Sequence, residues 1–282
     1  MAFCSLVVGI ANPQIGSKLQ EVKREGVDIM IALDLSNSMK AEDLVPNRLE
    51  RSKMAIQQFI DQLKSDRIGI IVFGGQAYVQ LPITTDYAAA KLFLSTIDTD
   101  IIPTQGTAIG AAIELAMESF DMKSATAKSV IVITDGENHE DDAMQAATAA
   151  AEEGVTIHTI GVGSPQGAPI PVYRGRKQVD FRKDKEGNTI MTKLNEQMLK
   201  QIAANGNGIY VRASNSQSGL EYIMEEINKM EKVEFGTKVY TDYEDRFQFF
   251  VGFALLLLLL DVLLLERKNL WLNTSKLFEI KK

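Results

Sequence analysis

The chain has 282 residues, 45% of them hydrophobic and 24% charged, with a net charge of -7. That length accommodates one domain of about 200 residues plus appendages, and an acidic balance without a long basic run argues against a nucleic-acid partner. A lone cysteine, Cys4, excludes an intramolecular disulfide framework, and the two histidines, His139 and His158, stand far apart and read as ordinary surface or strand residues.

Residues 1–10 (MAFCSLVVGI) are apolar but fall short of the about 20 residues a bilayer crossing needs. They also lack the basic start and small-residue cleavage site of a secretory signal. Followed by Asn12, Pro13 and Gln14, residues 1–21 read as an apolar remnant and linker, the exit of a membrane helix whose beginning is missing. The alternative is an apolar terminus with no further role.

Residues 27–39 (VDIMIALDLSNSM) organise the rest. The apolar, β-branched run to Leu33 predicts a strand buried on both faces at the centre of a parallel sheet. Asp34, Ser36 and Ser38 alternate along the loop that follows it, at the carboxyl end of the strand, where open α/β sheets bind ligands. One carboxylate and two hydroxyls without a nearby Cys or His suit a hard cation, Mg²⁺ or Mn²⁺, better than zinc. The bland alternative is that these residues only close a turn and cap the next helix.

Downstream, Leu49, Met54, Ile56, Phe59, Ile60 and Leu63 recur at helical spacing over 47–64, with Pro46 and Asn47 suited to the start. Residues 67–73 (RIGIIVF) predict a second buried strand. Residues 76–83 alternate and include Pro82, which predicts an edge strand running antiparallel. Asp86 caps a helix over 87–97. Residues 106–110 (GTAIG) place Thr107 in a loop before a helix ending near Phe120. Residues 130–137 (VIVITDGE) form another buried strand that ends on Asp135. Glu140, Asp141 and Asp142 fit a helix first turn, where acidic residues offset the macrodipole, and Glu137 stands near the site edge. An Ala-rich helix to Glu153 and a strand over 155–162 follow.

Residues 163–193 depart from the strand–helix alternation, with Pro165, Gly167, Pro169 and Pro171, the basic residues Arg174, Arg176 and Lys177, and a turn over 184–188. They predict a β-hairpin insertion at about 164–193, either a docking surface or a solvated hairpin. A helix over 194–204, a strand over 208–212 and a helix over 216–232 complete a domain at 22–232, followed by a linker over 233–246. Residues 247–265 (FQFFVGFALLLLLLDVLLL) predict a transmembrane helix, with Asp261 inside it. Arg267, Lys268, Lys276, Lys281 and Lys282 in the tail at 266–282 place that tail in the cytoplasm by charge bias. The expected fold class is α/β, a doubly wound, mostly parallel sheet flanked by helices.

Asp34, Ser36, Ser38, Thr107 and Asp135 together resemble the metal-ion-dependent adhesion site of von Willebrand factor A (VWA) domains. The resemblance implies a Rossmann-like fold and a Mg²⁺ ligated directly or through water by the two Ser and the Thr. The Asp residues act mostly through water, and one position is left for an acidic side chain of a partner. The stretch KREGVDIMIALDLSNSMKAEDLVPNRLERSK, LPITTD followed by GTAIG, the Pro-rich hairpin and the C-terminal span resemble the bacterial Bat (Bacteroides aerotolerance) family. That family implies a bacterial inner-membrane protein with its large domain outside the cytoplasm. Other Bat proteins and a MoxR-type AAA ATPase are implied as partners in stress tolerance, and no enzyme activity is implied. Two other functions stay open: a structural membrane scaffold whose metal site is not needed, and a metal-dependent phosphohydrolase with Asp34 as nucleophile.

Overall fold

The computed structural model describes residues 2–11, 18–137, 142–175, 177–215, 219–230, 233–241 and 247–264. In chain order these form α1 (Ala2–Ile10), β1 (Lys18–Gly26), β2 (Asp28–Asp34), α2 (Arg48–Gln62), β3 (Arg67–Phe73), β4 (Ala77–Thr84), α3 (Tyr87–Ser95) and α4 (Ile109–Ser119). Next come β5 (Lys128–Thr134), α5 (Ala143–Glu152), β6 (Val155–Gly161), β7 (Ala168–Pro169), β8 (Pro171–Arg174), β9 (Lys177–Phe181) and β10 (Met191–Thr192). The remainder is α6 (Glu196–Asn205), β11 (Asn207–Arg212), α7 (Leu220–Lys229), β12 (Val233–Thr241) and α8 (Phe247–Leu264). Two compact units result, residues 23–235 and a terminal unit of 1–22 with 236–282.

The larger unit is built on a six-stranded sheet in the order β11-β6-β5-β2-β3-β4. Every neighbouring pair is parallel except β3 with β4. Strand alternation divides the core into two layers. Ile29, Ile31 and Leu33 of β2 pack with Ile56 and Phe59 of α2, Leu94 of α3 and Ile223 of α7. Met30 and Ala32 pack on the other face with Ile113 of α4, Ala147 of α5 and Ile202 of α6. All of β2 is buried, as its uninterrupted apolar run predicts. Each such side chain contributes about 1.5–3 kcal/mol through burial. The expected mostly parallel sheet with helices on both faces is therefore what the chain forms.

Local signals behave as their chemistry dictates. The Asn47 side chain accepts the Glu50 N–H at 2.8 Å and starts α2. Asp86, Asp142 and Asn195 cap α3, α5 and α6 in the same way. Strand β4 is the antiparallel edge carrying Pro82, but its alternation is interrupted. Ile70 faces Leu81 while Ile71 faces Val79, so a bulge at Gln80 leaves Val79 and Tyr78 exposed.

Two expectations are corrected. The insertion is not one hairpin: β8 pairs with β9, β7 pairs with β10, and a separate turn is closed by a bridge between Lys183 and Thr189. In that turn the Asp184 carboxylate accepts the Glu186 and Asn188 N–H groups. The expected linkers are partly strand, because β1 and β12 form a two-stranded sheet; the remaining linker residues 242–246 lie outside the described residues.

The expected span at 247–265 is described as far as Leu264. Helix α8 has 18 residues, about 27 Å at 1.5 Å per residue, against a hydrocarbon core of about 30 Å. Among the described residues no helix is long and apolar enough to cross a membrane. Leu265 and the basic tail lie outside the described residues, as do Asn12, Pro13, Gln14, His139, Glu140 and Asp141. Within its own unit α8 packs along α1.

Candidate metal centre

The site forms where β2 and β5 end side by side. Asp34 closes β2, and Asp135 follows Thr134 at the end of β5. Both aspartates are wholly buried, and Ser36, Ser38 and Thr107 are buried beside the strand ends. The Ser36 N–H donates to Asp34 Oδ1 at 2.7 Å, which turns the loop back over the strand end. The Thr134 hydroxyl donates to Asp34 Oδ2 at 2.5 Å. Ser36 Oγ and Ser38 Oγ lie 2.9 Å apart, so the two hydroxyls share one point, as their spacing predicts.

Thr107 reaches the same edge through its backbone. The Ala108 N–H donates to the Gly74 carbonyl at 2.7 Å and the Gly75 N–H to the Thr104 carbonyl at 3.0 Å. This ties the Thr107 loop to the exit of β3, while the Leu35 N–H donates to the Phe73 carbonyl beside it. Hydrogen bonds and electrostatic contact thus link Asp34, Ser36, Ser38 and Asp135 directly. Thr107 joins them by the position of its loop.

The sequence reading missed Arg48. It stands in the first turn of α2, is wholly buried, and uses all its N–H groups. Nε and Nη2 donate to Asp43 Oδ1 and Oδ2, both at 2.8 Å. Nη1 donates to Asp135 Oδ2 at 2.8 Å and to Thr192 Oγ1 at 3.0 Å, and Nη2 reaches the Thr192 carbonyl at 3.4 Å. A cation in a helix first turn opposes the macrodipole, and that local misfit was the available signal. Gly163, at φ +123, makes room for the guanidinium: a Cβ there would lie 2.6 Å from Arg48 Cζ.

Thr192 was missed as well. From β10 its hydroxyl reaches Asp135 Oδ2 at 3.2 Å and Glu137 Oε2 at 3.0 Å. Glu137 Oε1 accepts the Lys193 N–H at 2.8 Å, and the Ser164 N–H donates to Asp43 Oδ2 at 2.6 Å. Both ends of the insertion are therefore stitched to the strand ends. Glu137, placed at the site edge by the sequence, serves this stitching.

Electrostatics follow from the count of charges. Asp43, Asp135 and Glu137 face the guanidinium of Arg48, and Asp34 adds its carboxylate beside Asp135. Burial, and next the neighbouring Asp135 charge, push the Asp34 carboxyl up to about 7, against the hydrogen bonds from Thr134 and Ser36. Burial also acts on Asp43, but its bonds to Arg48 and the Ser164 N–H hold it below the usual carboxylate range. An excess of buried negative charge beside two convergent hydroxyls fits a hard divalent cation. Among the described residues no group of three or more His, Cys, Asp or Glu is placed to hold a metal, so the hydroxyls would have to complete any such site.

A family model described as von Willebrand factor type A domain matches residues 29–137, and a second model of that description matches 189–212. An aerotolerance-related membrane protein from Bacteroides fragilis is 51% identical, with a TM-score of 0.69; the match covers 73% of this chain and 100% of that one. BatB from Bacteroides thetaiotaomicron is 52% identical over 72% of this chain and 98% of that one, with a TM-score of 0.69. An uncharacterized Borreliella burgdorferi protein is 29% identical over 268 residues, which is 92% of this chain and 74% of that protein.

Two more distant structures share the fold alone. One is a mussel byssus thread matrix protein with a zinc-occupied MIDAS motif, 22% identical over 78% of this chain and 50% of that one, TM-score 0.54. The other is the manganese-loaded Plasmodium vivax TRAP protein, 15% identical over 82% of this chain and 83% of that one, TM-score 0.51.

Proposed function

This chain belongs to the Bat family of von Willebrand factor A proteins, and from that premise we propose a membrane-anchored interaction module that depends on a divalent cation. Asp34, Ser36, Ser38, Thr107 and Asp135 would hold Mg²⁺ or Mn²⁺. When bound, such a cation supplies positive charge and an open position for an Asp or Glu side chain of a protein partner. The observation that carries this reading is the pair of wholly buried, mutually repelling carboxylates Asp34 and Asp135 at the strand ends, with Ser36 and Ser38 Oγ only 2.9 Å apart beside them.

The residues divide the work. The serine hydroxyls offer oxygen lone pairs directly. Both Asp34 oxygens already accept hydrogen bonds, from Ser36 N–H and the Thr134 hydroxyl, which favours action at one remove, by charge and through water. The same two bonds, with the complete burial of Asp34, weigh against its use as a nucleophile and so against the phosphohydrolase alternative.

Anchoring is supported by the terminal unit, where α1 and α8 pair while Phe3, Ile10, Phe249, Phe253, Leu255 and Leu259 stay exposed. A contiguous apolar surface of that kind marks a lipid or protein contact, and the similar Bacteroides fragilis protein is described as a membrane protein. With the basic tail held inside, the large domain faces the periplasm of a bacterial inner membrane. Other Bat proteins, and a MoxR-type ATPase on the cytoplasmic side, are the partners the family suggests.

Calorimetric titration of the full chain in detergent micelles with Mg²⁺ and Mn²⁺ tests the site. Wild type is expected to bind, and Asp34→Ala and the Ser36→Ala/Ser38→Ala double variant to lose binding while their circular dichroism stays native. Equal binding by all three proteins would sink the reading. Partner capture should then require Mg²⁺ and fail in EDTA.

A further inference from the structure

We infer that Arg48 and Thr192 join the insertion at 164–193 to the metal centre as one linked unit, so that occupancy of the cation site and docking of the insertion favour each other. This rests on the cation-dependent reading above.

The geometry is specific. Asp135 Oδ2 is the meeting point: it accepts from Arg48 Nη1 at 2.8 Å and, at 3.2 Å, shares the single Thr192 hydroxyl hydrogen with Glu137 Oε2 at 3.0 Å. Thr192 sits on β10, which pairs only with β7 among the described residues, by two residues on each side. So short a pair is weak by itself. What fixes it is polar: Arg48 to Thr192 at Oγ1 and at the carbonyl, the Lys193 N–H to Glu137, and the Ser164 N–H to Asp43. These contacts end on Glu137, Asp43 and the Arg48 guanidinium that Asp43 and Asp135 hold at the strand ends. The outer part of the insertion is exposed, β9 throughout and β8 beyond Pro171, and is held to the domain by buried Ala168 and Ile170 and by the Tyr173 hydroxyl on Glu42.

The physical consequence follows from charge. Metal-free, the cluster carries more carboxylates than the guanidinium can offset, and Asp34 and Asp135 repel one another. That repulsion works against the arrangement of Asp135 that Arg48 and Thr192 require. Positive charge at the centre removes it, and Asp135 can then keep both contacts. By linkage, whatever the docked insertion adds to cation affinity, cation binding returns to docking. Arg48 and Thr192 are positioning residues here, acting through Asp135. Partners of this kind typically change metal affinity by about 10–100-fold when removed.

Two readouts on the full chain in detergent micelles test this: backbone hydrogen exchange by mass spectrometry and Mg²⁺ or Mn²⁺ affinity by calorimetry. In wild type, Mg²⁺ should slow exchange both at 34–38 and across 168–193. Thr192→Val, which keeps the β-branched shape and removes only the hydroxyl, should weaken the cation by about tenfold and abolish the slowing at 168–193. Thr192→Ser should restore both, which loss of packing alone would not allow.

Protection at 34–38 with no change at 168–193 would overturn the linkage while leaving the metal site standing. Wild-type affinity in Thr192→Val would overturn it as well. No change anywhere and no heat of binding would sink the cation reading and this inference together.

Discussion

Strand β2 begins and ends on a buried aspartate, and its two ends differ in kind. At the amino end Asp28 meets Arg67 in two parallel hydrogen bonds, Nε at 2.6 Å and Nη2 at 2.5 Å, and the Arg67 side chain is 27% exposed. At the carboxyl end Asp34 lies beside the charge of Asp135, and the wholly buried guanidinium of Arg48 is committed to Asp43 and Asp135 rather than to Asp34. Burial is therefore not what separates a structural carboxylate from a functional one. The difference is whether charge is balanced within the fold. Asp28 is answered on the spot, while Asp34 is left in deficit at the end of the sheet where ligands enter.

The sharpest way to break this contrast is to remove each arginine in turn. Arg48→Met leaves wholly buried Asp135 and partly buried Asp43 without their partner and should cost about 3–5 kcal/mol in denaturant unfolding. Arg67→Met should cost clearly less, because water reaches that end. Equal losses would mean that both pairs are structural and that the deficit at the carboxyl end has no special meaning.

Asp34→Asn should act in the opposite direction. A carboxyl raised from 3.8 to about 7 in the fold opposes folding wherever it is ionised. Its cost is absent below the unfolded value and grows as pH rises through the window between the two. Without divalent cation at pH 8 the Asn variant should gain about 3 kcal/mol, after allowing for the weakened bonds from Ser36 and Thr134. Saturating Mg²⁺ should stabilise wild type by about 2.7 kcal/mol at a hundredfold excess over Kd, and the variant not at all. A variant less stable than wild type in EDTA would show that Asp34 is a structural residue like Asp28.

His158 bounds the pH range in which this contrast is best measured. Its ring is buried, accepts the Ile209 N–H at Nδ1, and is held by desolvation at about 4. A neutral buried histidine supports the fold fully above its unfolded value near 6.5. That support fades as pH falls toward the folded value, by about 3 kcal/mol in total. Unfolding profiles between pH 7 and pH 4 should show this loss, and His158→Gln should flatten it. A profile unchanged by that substitution would assign the acid sensitivity to the carboxylates.

The fold was legible where hydrophobic pattern decides it. The run into Leu33 and the helical spacing from Leu49 to Leu63 each describe burial along one continuous element, and β2 and α2 follow them closely. Asp34, Ser36 and Ser38 were legible for the same reason, since one turn brings them together. Arg48 and Thr192 were not, because they meet Asp135 across 87 and 57 residues, a distance no periodicity encodes. Strands of two residues, such as β7 and β10, are too short to show any period. In β12, by contrast, Val233, Phe235 and Val239 do alternate, and the strand was there to be read.

Because β2 is buried on both sides, its odd and even residues belong to different helical layers. A single-residue deletion between Asp28 and Leu33 would exchange those layers and turn Asp34 away from Thr134 in the same stroke. Core and site are thus written in one reading frame: the strand cannot drift by a residue to improve its packing without dismantling the chemistry at its tip.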